Sequence, residues 1–178
     1  MNQSIRMRSG HSIAIREFTK FDIQIIVTNF AEANWLKPAS TFEAYLQEQK
    51  LGERIVWVAF YNNEFAGYIT LKWKSSYPSF KNQNIPEVMD FNILPSMRNK
   101  GIGSALLEVA EKEAAKRNYT VGLGVGLYAD YGVAQKLYIK RGYIPDGLGV
   151  TYKYQCVKPG TKVDLDDDLV LWFTKKLR

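Results

Sequence analysis

At 178 residues and 46% hydrophobic content, the chain is long enough for one domain, residues 1–178, with a substantial core. No apolar run approaches the ~18 residues of a membrane span, the opening M-N-Q-S-I-R-M-R-S-G-H lacks the apolar stretch of a secretory leader, and one cysteine, Cys156, excludes an internal disulfide framework. These three absences make a cytoplasmic location the expectation, and the net charge of +6, spread over scattered Lys and Arg, argues against nucleic acid or a membrane surface as partner.

Residues 12–17 alternate apolar and polar and predict a first strand. Ile23, Ile26, Val27 and Phe30 fall at helical spacing, so 21–35 reads as an amphipathic helix that Pro38 closes. Ser40 and Glu43 have capping-box spacing ahead of a short second helix carrying Tyr45 and Leu46. Two runs rich in β-branched and aromatic residues, 54–61 and 65–74, flank Asn62-Asn63 and predict a hairpin. Residues 75–84 are polar, contain Pro78 and read as a loop.

The strand at 87–94 ends at Pro95, which cannot continue a central strand. Ile102, Ala105, Leu106, Val109 and Ala110 form the apolar stripe of the next helix. A glycine-rich strand follows at 119–127. Its G-L-G-V-G has no helix start behind it and no partner acid, so it reads as close backbone packing and not as a nucleotide loop. A short helix at 130–141 puts Ala134, Leu137 and Tyr138 on one face and stops at Gly142. Two final strands, 149–157 and 169–176, are joined across an acidic loop at 164–168.

The chemistry concentrates between 87 and 107. Gly101 and Gly103 admit conformations closed to other residues and let a ligand approach the chain. The helix behind them starts with unsatisfied N–H groups at the positive end of its dipole, and Arg98 and Lys100 stand beside it. This combination predicts a phosphate or pyrophosphate at 98–104. A P-loop is absent, and a dinucleotide fingerprint fails at Leu106. The pattern Gln/Arg-x-x-Gly-x-Gly/Ala is met in full by Arg98-Asn99-Lys100-Gly101-Ile102-Gly103. Downstream, L-Y-I-K-R-G-Y at 137–143 matches a second pattern, L-Y-x-K-x-G-F/Y.

These two motifs, in this order, resemble the signatures of the GCN5-related N-acetyltransferase (GNAT) superfamily. The order β-α-α-β-β-β-α-β-α-β-β is similar to that family's, so the resemblance runs over nearly the whole chain and is sharpest from 87 to 143. It implies an α/β (α+β) GNAT fold: a mixed, mostly antiparallel central sheet of about seven strands flanked by about four helices. It also implies acetyl-CoA as co-substrate, a primary amine of a small molecule or peptide as acceptor, and direct transfer between them. By resemblance Arg98, Asn99, Lys100, Gly101, Ile102, Gly103 and Ser104 hold the pyrophosphate, and backbone groups of Phe91 and Ile93 hold the pantetheine arm.

An alkylammonium of pKa ~10.4 must lose its proton. Glu87, eleven residues before Arg98, has the spacing of the base in the histone-acetyltransferase branch of the family. Asp90 is the second candidate, and strand alternation places the two on opposite faces. Tyr138 is the signature tyrosine implied to protonate the departing thiolate. One departure stands out: where the family often has Asn, this chain has Tyr131.

Cys156 has no histidine at partner spacing and reads as a buried or half-buried structural thiol. The only histidine is His11. His and Cys are too few for a structural zinc site, and the acidic loop lacks EF-hand spacing, so no metal is expected. Trp35, Leu36, Tyr45, Trp73, Tyr77 and Tyr128 are candidates to line the acceptor side. Homodimers are common in the family, but no residue establishes one here. The alternative readings are a non-catalytic acyl-CoA sensor or interaction module on the same fold, and a nicotinamide-dependent enzyme.

Overall fold

The computed structural model describes residues 3–6 and 12–177, which form nine strands and five α-helices. These fall into two compact units, one comprising residues up to Lys72 together with Met89–Lys112, the other Trp73–Val88 and 113 onward. His11 lies outside the described residues.

In the first unit the strands follow the order β1 (Gln3–Arg6), β2 (Ser12–Glu17), β3 (Arg54–Tyr61), β4 (Glu64–Lys72) and β5 (Glu87–Ile93, from Met89 onward). β1, β2, β3 and β4 pair antiparallel in turn. The β3–β4 turn holds Asn62 at φ 49° and Asn63 at φ 70°, left-handed values that asparagine tolerates and that a two-residue hairpin requires. Helices α1 (Asp22–Glu32) and α2 (Ala39–Lys50) bury Ile26, Phe30, Phe42 and Tyr45. Phe30 and Phe42 both meet the Tyr68 ring edge to face, at 5.8 and 5.3 Å. Helix α4 (Ile102–Ala114) buries Ile102, Ala105, Leu106, Leu107 and Ala110.

Gly67 is the point of closest approach between β4 and β5: a Cβ there would lie 2.3 Å from the Asn92 carbonyl oxygen. The expected capping box of α2 does not form. The helix begins at Ala39, with Pro38 as its cap, so Ser40 already lies inside the first turn and makes no side-chain cap.

In the second unit the first two residues of β5 pair in parallel with β6 (Thr120–Gly126), and β6, β9 (Leu169–Lys176), β7 (Ile144–Tyr152) and β8 (Gln155–Cys156) continue antiparallel. The glycines of β6 are explained by what lies over them. A Cβ at Gly122 would strike the Phe80 ring, at Gly124 Val170 and Trp172, and at Gly126 the Tyr131 ring.

Three further expectations need correction. Residues 75–84 are not all loop: Pro78 starts a short helix, α3 (Pro78–Asn82), where its missing N–H carries no penalty. Phe80 on that helix joins Tyr77, Ile85 and Trp172 in a buried cluster. The short helix expected at 130–141 is a 3-10 turn (Ala129–Tyr131) followed by α5 (Gly132–Lys140). The strand expected at 149–157 is a hairpin, because Lys153 and Tyr154 both take left-handed φ, 51° and 65°, and turn β7 back into β8.

Candidate active site

Within the first unit, β5 leads directly into the glycine loop. After Ile93 the chain makes a 3-10 turn at Pro95–Met97, passes Asn99 at φ 61° and Gly101 at φ 78°, and enters α4. The Ala105 N–H donates to the Gly101 carbonyl at 3.1 Å, so helical hydrogen bonding begins there. The N–H groups of Ile102 and Gly103 belong to the first turn, where an α-helix has no intrahelical acceptors. The buried Ile102 and Leu106 side chains anchor that turn, which leaves backbone as what Ile102 offers a ligand. Arg98 is exposed and its Nε donates to the Ile93 carbonyl at 3.4 Å; Lys100 Nζ lies 5.1 Å from the Tyr61 ring centre. The result is a positively charged helix start suited to an anion.

The Leu94 N–H donates to the Ala66 carbonyl of β4 at 2.9 Å. N–H groups alternate in direction along a strand, so those of Phe91 and Ile93 point away from β4.

Asp90 sits in the middle of β5 at φ 46°, a left-handed conformation that breaks simple alternation. Such a residue costs about 1–3 kcal/mol and persists where its surroundings hold it. The hold here comes from Arg54. Arg54 is only 4% exposed; its Nε donates to Glu48, and its Nη1 donates to Thr70 Oγ1 at 2.7 Å and to Asp90 Oδ2 at 3.4 Å. Thr70 Oγ1 in turn donates to the Met89 carbonyl at 3.2 Å, so one guanidinium braces both residues at the irregularity. Tyr45 also donates to Asp90 Oδ2, at 2.5 Å, and the Arg54 guanidinium lies over the Tyr45 ring at 4.4 Å. The Asp90 side chain nevertheless remains 39% exposed.

Next on the strand, Asn92 donates to the Tyr68 hydroxyl at 3.0 Å and accepts from Lys37 Nζ at 3.4 Å. Burial, then the neighbouring Asp90 charge, pushes the Tyr45 and Tyr68 phenols far above the ordinary tyrosine range, so both keep their protons. Arg54, Thr70, Asn92, Tyr68 and Lys37 were not foreseen as site residues. The one sequence signal was an arginine opening an otherwise apolar strand.

In the second unit, Glu87 is 3% exposed and its carboxylate accepts from Ser75 Oγ at 2.5 Å; Ser75 Oγ also accepts the Tyr77 N–H. Tyr138 on α5 is 6% exposed, its ring is 5.9 Å from that of Tyr143, and burial raises its pKa well above the usual value. Tyr131 donates its hydroxyl hydrogen to Asp167 at 2.9 Å while its ring covers Gly126. Tyr128 also donates to Asp167, and that bond, with burial, pushes its pKa up to about 12. Tyr152 donates to Asp166 at 3.1 Å. The acidic loop is thus pinned by tyrosine hydroxyls.

Of the expected acceptor-side residues, Tyr45 reaches β5, and Trp35 packs edge-on against Phe30 with the exposed Leu36 beside it in the chain. Tyr77 stacks on Trp172 at 4.1 Å and bonds Asp146, and Trp73 lies under the Arg117 guanidinium. Cys156 is exposed, not buried or half-buried as expected, because it lies on the two-residue edge strand β8. Among the described residues no group of three or more His, Cys, Asp or Glu could hold a metal ion, and no helix is long and apolar enough to cross a membrane.

The family model for the Acetyltransferase (GNAT) family matches residues 23–143, which run through both units and include both sequence motifs. The chain therefore belongs to the GNAT acetyltransferase family, and acetyl-CoA is its co-substrate. Solved structures agree in fold. An N-acetyltransferase from Staphylococcus aureus Mu50 matches with a TM-score of 0.69 and 21% identity, over 93% of this chain and 99% of that one. The yncA protein of Salmonella typhimurium, solved with its cofactor acetyl-CoA, matches with a TM-score of 0.66 and 18% identity, over 93% and 94%. A ribosomal-protein-alanine N-acetyltransferase from Brucella melitensis matches with a TM-score of 0.64 and 20% identity, over 91% and 98%. A search of curated proteins returns no match.

Proposed function

We propose that this acetyltransferase moves the acetyl group of acetyl-CoA directly onto a primary amine. The observation that carries the reading is the half-exposed Asp90 carboxylate on β5, gripped at Oδ2 by Tyr45 and Arg54. It stands on the same strand as Phe91 and Ile93, just ahead of the 98–104 turn.

In this reading, residues 98–104 hold the pyrophosphate and the Phe91 and Ile93 backbone groups hold the arm. Backbone donors aimed at the acetyl carbonyl stabilise the charge it gains, each worth about 3–4 kcal/mol. The amine nitrogen attacks the thioester carbon and its proton passes to a carboxylate. Asp90 is favoured by its exposure. Glu87, buried on Ser75, takes that role only through the serine hydroxyl or a water. The thiolate leaves and takes a proton from Tyr138, whose burial keeps the phenol protonated. Such a reaction suits the cytoplasm, where acetyl-CoA is at hand.

The test is acetyl-CoA-dependent thiol release across free amino acids, polyamines, aminoglycosides, and peptides with lysine or a free N-terminus. Release with one class supports the reading. Silence across the panel, with acetyl-CoA still protecting the fold against heat, favours a non-catalytic acyl-CoA-binding module.

A further inference from the structure

We propose that Arg54 is a positioning residue for acetyl transfer: it sets the backbone angle of Asp90 and thereby aims the carboxylate that receives the acceptor's proton. This rests on the assignment of Asp90 as that carboxylate. Arg54 opens β3 and is 4% exposed. Its Nε donates to Glu48, and its guanidinium lies over the Tyr45 ring at 4.4 Å. Both partners belong to α2, three residues apart on one helix face, so that helix fixes the arginine from one side. On the other side Nη1 donates to Thr70 Oγ1 at 2.7 Å and to Asp90 Oδ2 at 3.4 Å. Arg54 stands opposite Lys72 on β4, and it reaches Thr70 along the diagonal of that ladder.

The angle φ of Asp90 is the rotation that relates the Met89–Asp90 peptide to the groups on the Asp90 Cα. Arg54 holds both ends of that rotation. The Thr70 hydroxyl accepts from the guanidinium and gives its one hydrogen to the Met89 carbonyl at 3.2 Å, which fixes the peptide. The bond to Oδ2 fixes the side chain. With both ends tied to one buried guanidinium, the φ of 46° follows from where Arg54 sits.

The same clamp decides which oxygen of Asp90 works. Among the described residues the side-chain donors to Asp90, Tyr45 and Arg54, both take Oδ2, at 2.5 and 3.4 Å. The side chain is 39% exposed, and Oδ1 is the atom left to take a proton. The clamp needs the shape of arginine as well as its charge, because Nε and Nη1 serve different partners. Lysine carries its charge on a single nitrogen and cannot serve both as the fork does. Arg54→Lys therefore keeps the charge and loses the geometry.

The test is a double-mutant cycle, run with the panel amine that releases most thiol. Arg54→Lys is expected to lower kcat by about tenfold to a hundredfold, the scale of a misplaced catalytic group, with the acetyl-CoA Kd within about threefold. In the Asp90→Asn background the same change is expected to cost less than about twofold, because the group it acts through is gone. A general loosening of the fold would lower both backgrounds by one factor. Thr70→Val removes only the link to the Met89 carbonyl, is expected to show the same pattern, and serves if Arg54→Lys does not fold. Crystal structures of the variants read the backbone without turnover: φ of Asp90 is expected to leave the left-handed region. That release of φ, in a protein that acetylates no amine of the panel, sinks the proposed reaction and sustains the clamp. Equal factors in the two backgrounds, or Asp90 staying near φ 46° in the variants, overturns the positioning role and leaves acetyl transfer standing.

Discussion

Tyr45 donates its hydroxyl hydrogen to Asp90 Oδ2 at 2.5 Å, and burial followed by the Asp90 charge keeps that phenol protonated. The carboxylate is thus oriented by a donor that cannot become a competing anion. Asp90→Asn keeps the shape and removes the charge. Its kcat is expected to fall about a hundredfold near neutral pH, with the acetyl-CoA Kd unchanged. As the pH rises towards the ~10.4 of an alkylamine, free amine accumulates and the deficit shrinks. Tyr45→Phe loses only the orienting bond, and a drop of about tenfold is expected. A flat pH dependence of the deficit in Asp90→Asn, or a full loss in Glu87→Gln instead, moves the base to Glu87.

Tyr138 is the buried phenol of the second sequence motif. Raised by burial, its pKa keeps the proton in place throughout the physiological range, so the donor is not lost on the alkaline side of neutrality. Tyr138→Phe is expected to lower kcat by about a hundredfold while acetyl-CoA binding, measured by calorimetry, stays within about twofold. Equal turnover removes Tyr138 from the reaction.

What was legible in the sequence, and what was not, divides by range of interaction. The Asn62-Asn63 hairpin and the glycine turn at 98–104 are local chemistry, written where they act. The glycines of β6 were readable as close packing, though Phe80 and Trp172, which lie over Gly122 and Gly124, come from distant positions. The left-handed backbone of Asp90 was not legible, for a physical reason. A strict period of two assumes unbroken extended backbone, and φ 46° at Asp90 is imposed by Arg54 and Thr70, 36 and 20 residues away in sequence. The turn at Lys153-Tyr154 escaped notice because neither residue is a turn former, and the hairpin it closes sits beside β9.

Gly67 tests the support of the site strand directly. A methyl group there meets the Asn92 carbonyl at 2.3 Å and the Ile93 side chain at 2.8 Å, so β4 and β5 must part. Gly67→Ala is expected to cost about 1–3 kcal/mol in urea unfolding. Unchanged unfolding shows that β5 can yield at this point.

The first unit also contains an acid-sensitive joint. Arg16 makes a two-pronged ion pair with the buried Asp22, at 2.7 and 2.6 Å, and Asp22 also accepts the Thr19 N–H and hydroxyl. Desolvation works against the Asp22 charge, but Arg16 and Thr19 outweigh it and hold the pKa below the ordinary value. A lowered folded-state pKa gives stability that is present in full above the unfolded value, ~3.9, and is lost as pH falls through it towards the folded value. Asp22→Asn is expected to destabilise by about 1–3 kcal/mol at pH 7, a range reduced because Arg16 is 34% exposed. It is expected to flatten the fall in stability between pH 5 and pH 3. Parallel curves for the two proteins would assign the acid sensitivity to other carboxylates.

Gly101 reads out the cofactor turn without touching a charge. Its φ of 78° lies where a side chain costs about 1–2 kcal/mol. The helix N-terminus depends on that conformation, because the Gly101 carbonyl receives the first α4 bond from Ala105. Gly101→Ala must either carry the strain or rotate the turn, and rotation swings the first N–H groups of α4 away from the anion they would bind. The acetyl-CoA Kd is therefore expected to rise by about tenfold. Lys100→Met, which keeps the backbone and removes one charge, is expected to raise it less and to reduce its salt dependence. If Gly101→Ala binds acetyl-CoA as well as the parent and Lys100→Met does not, side-chain charge and not backbone donation holds the pyrophosphate.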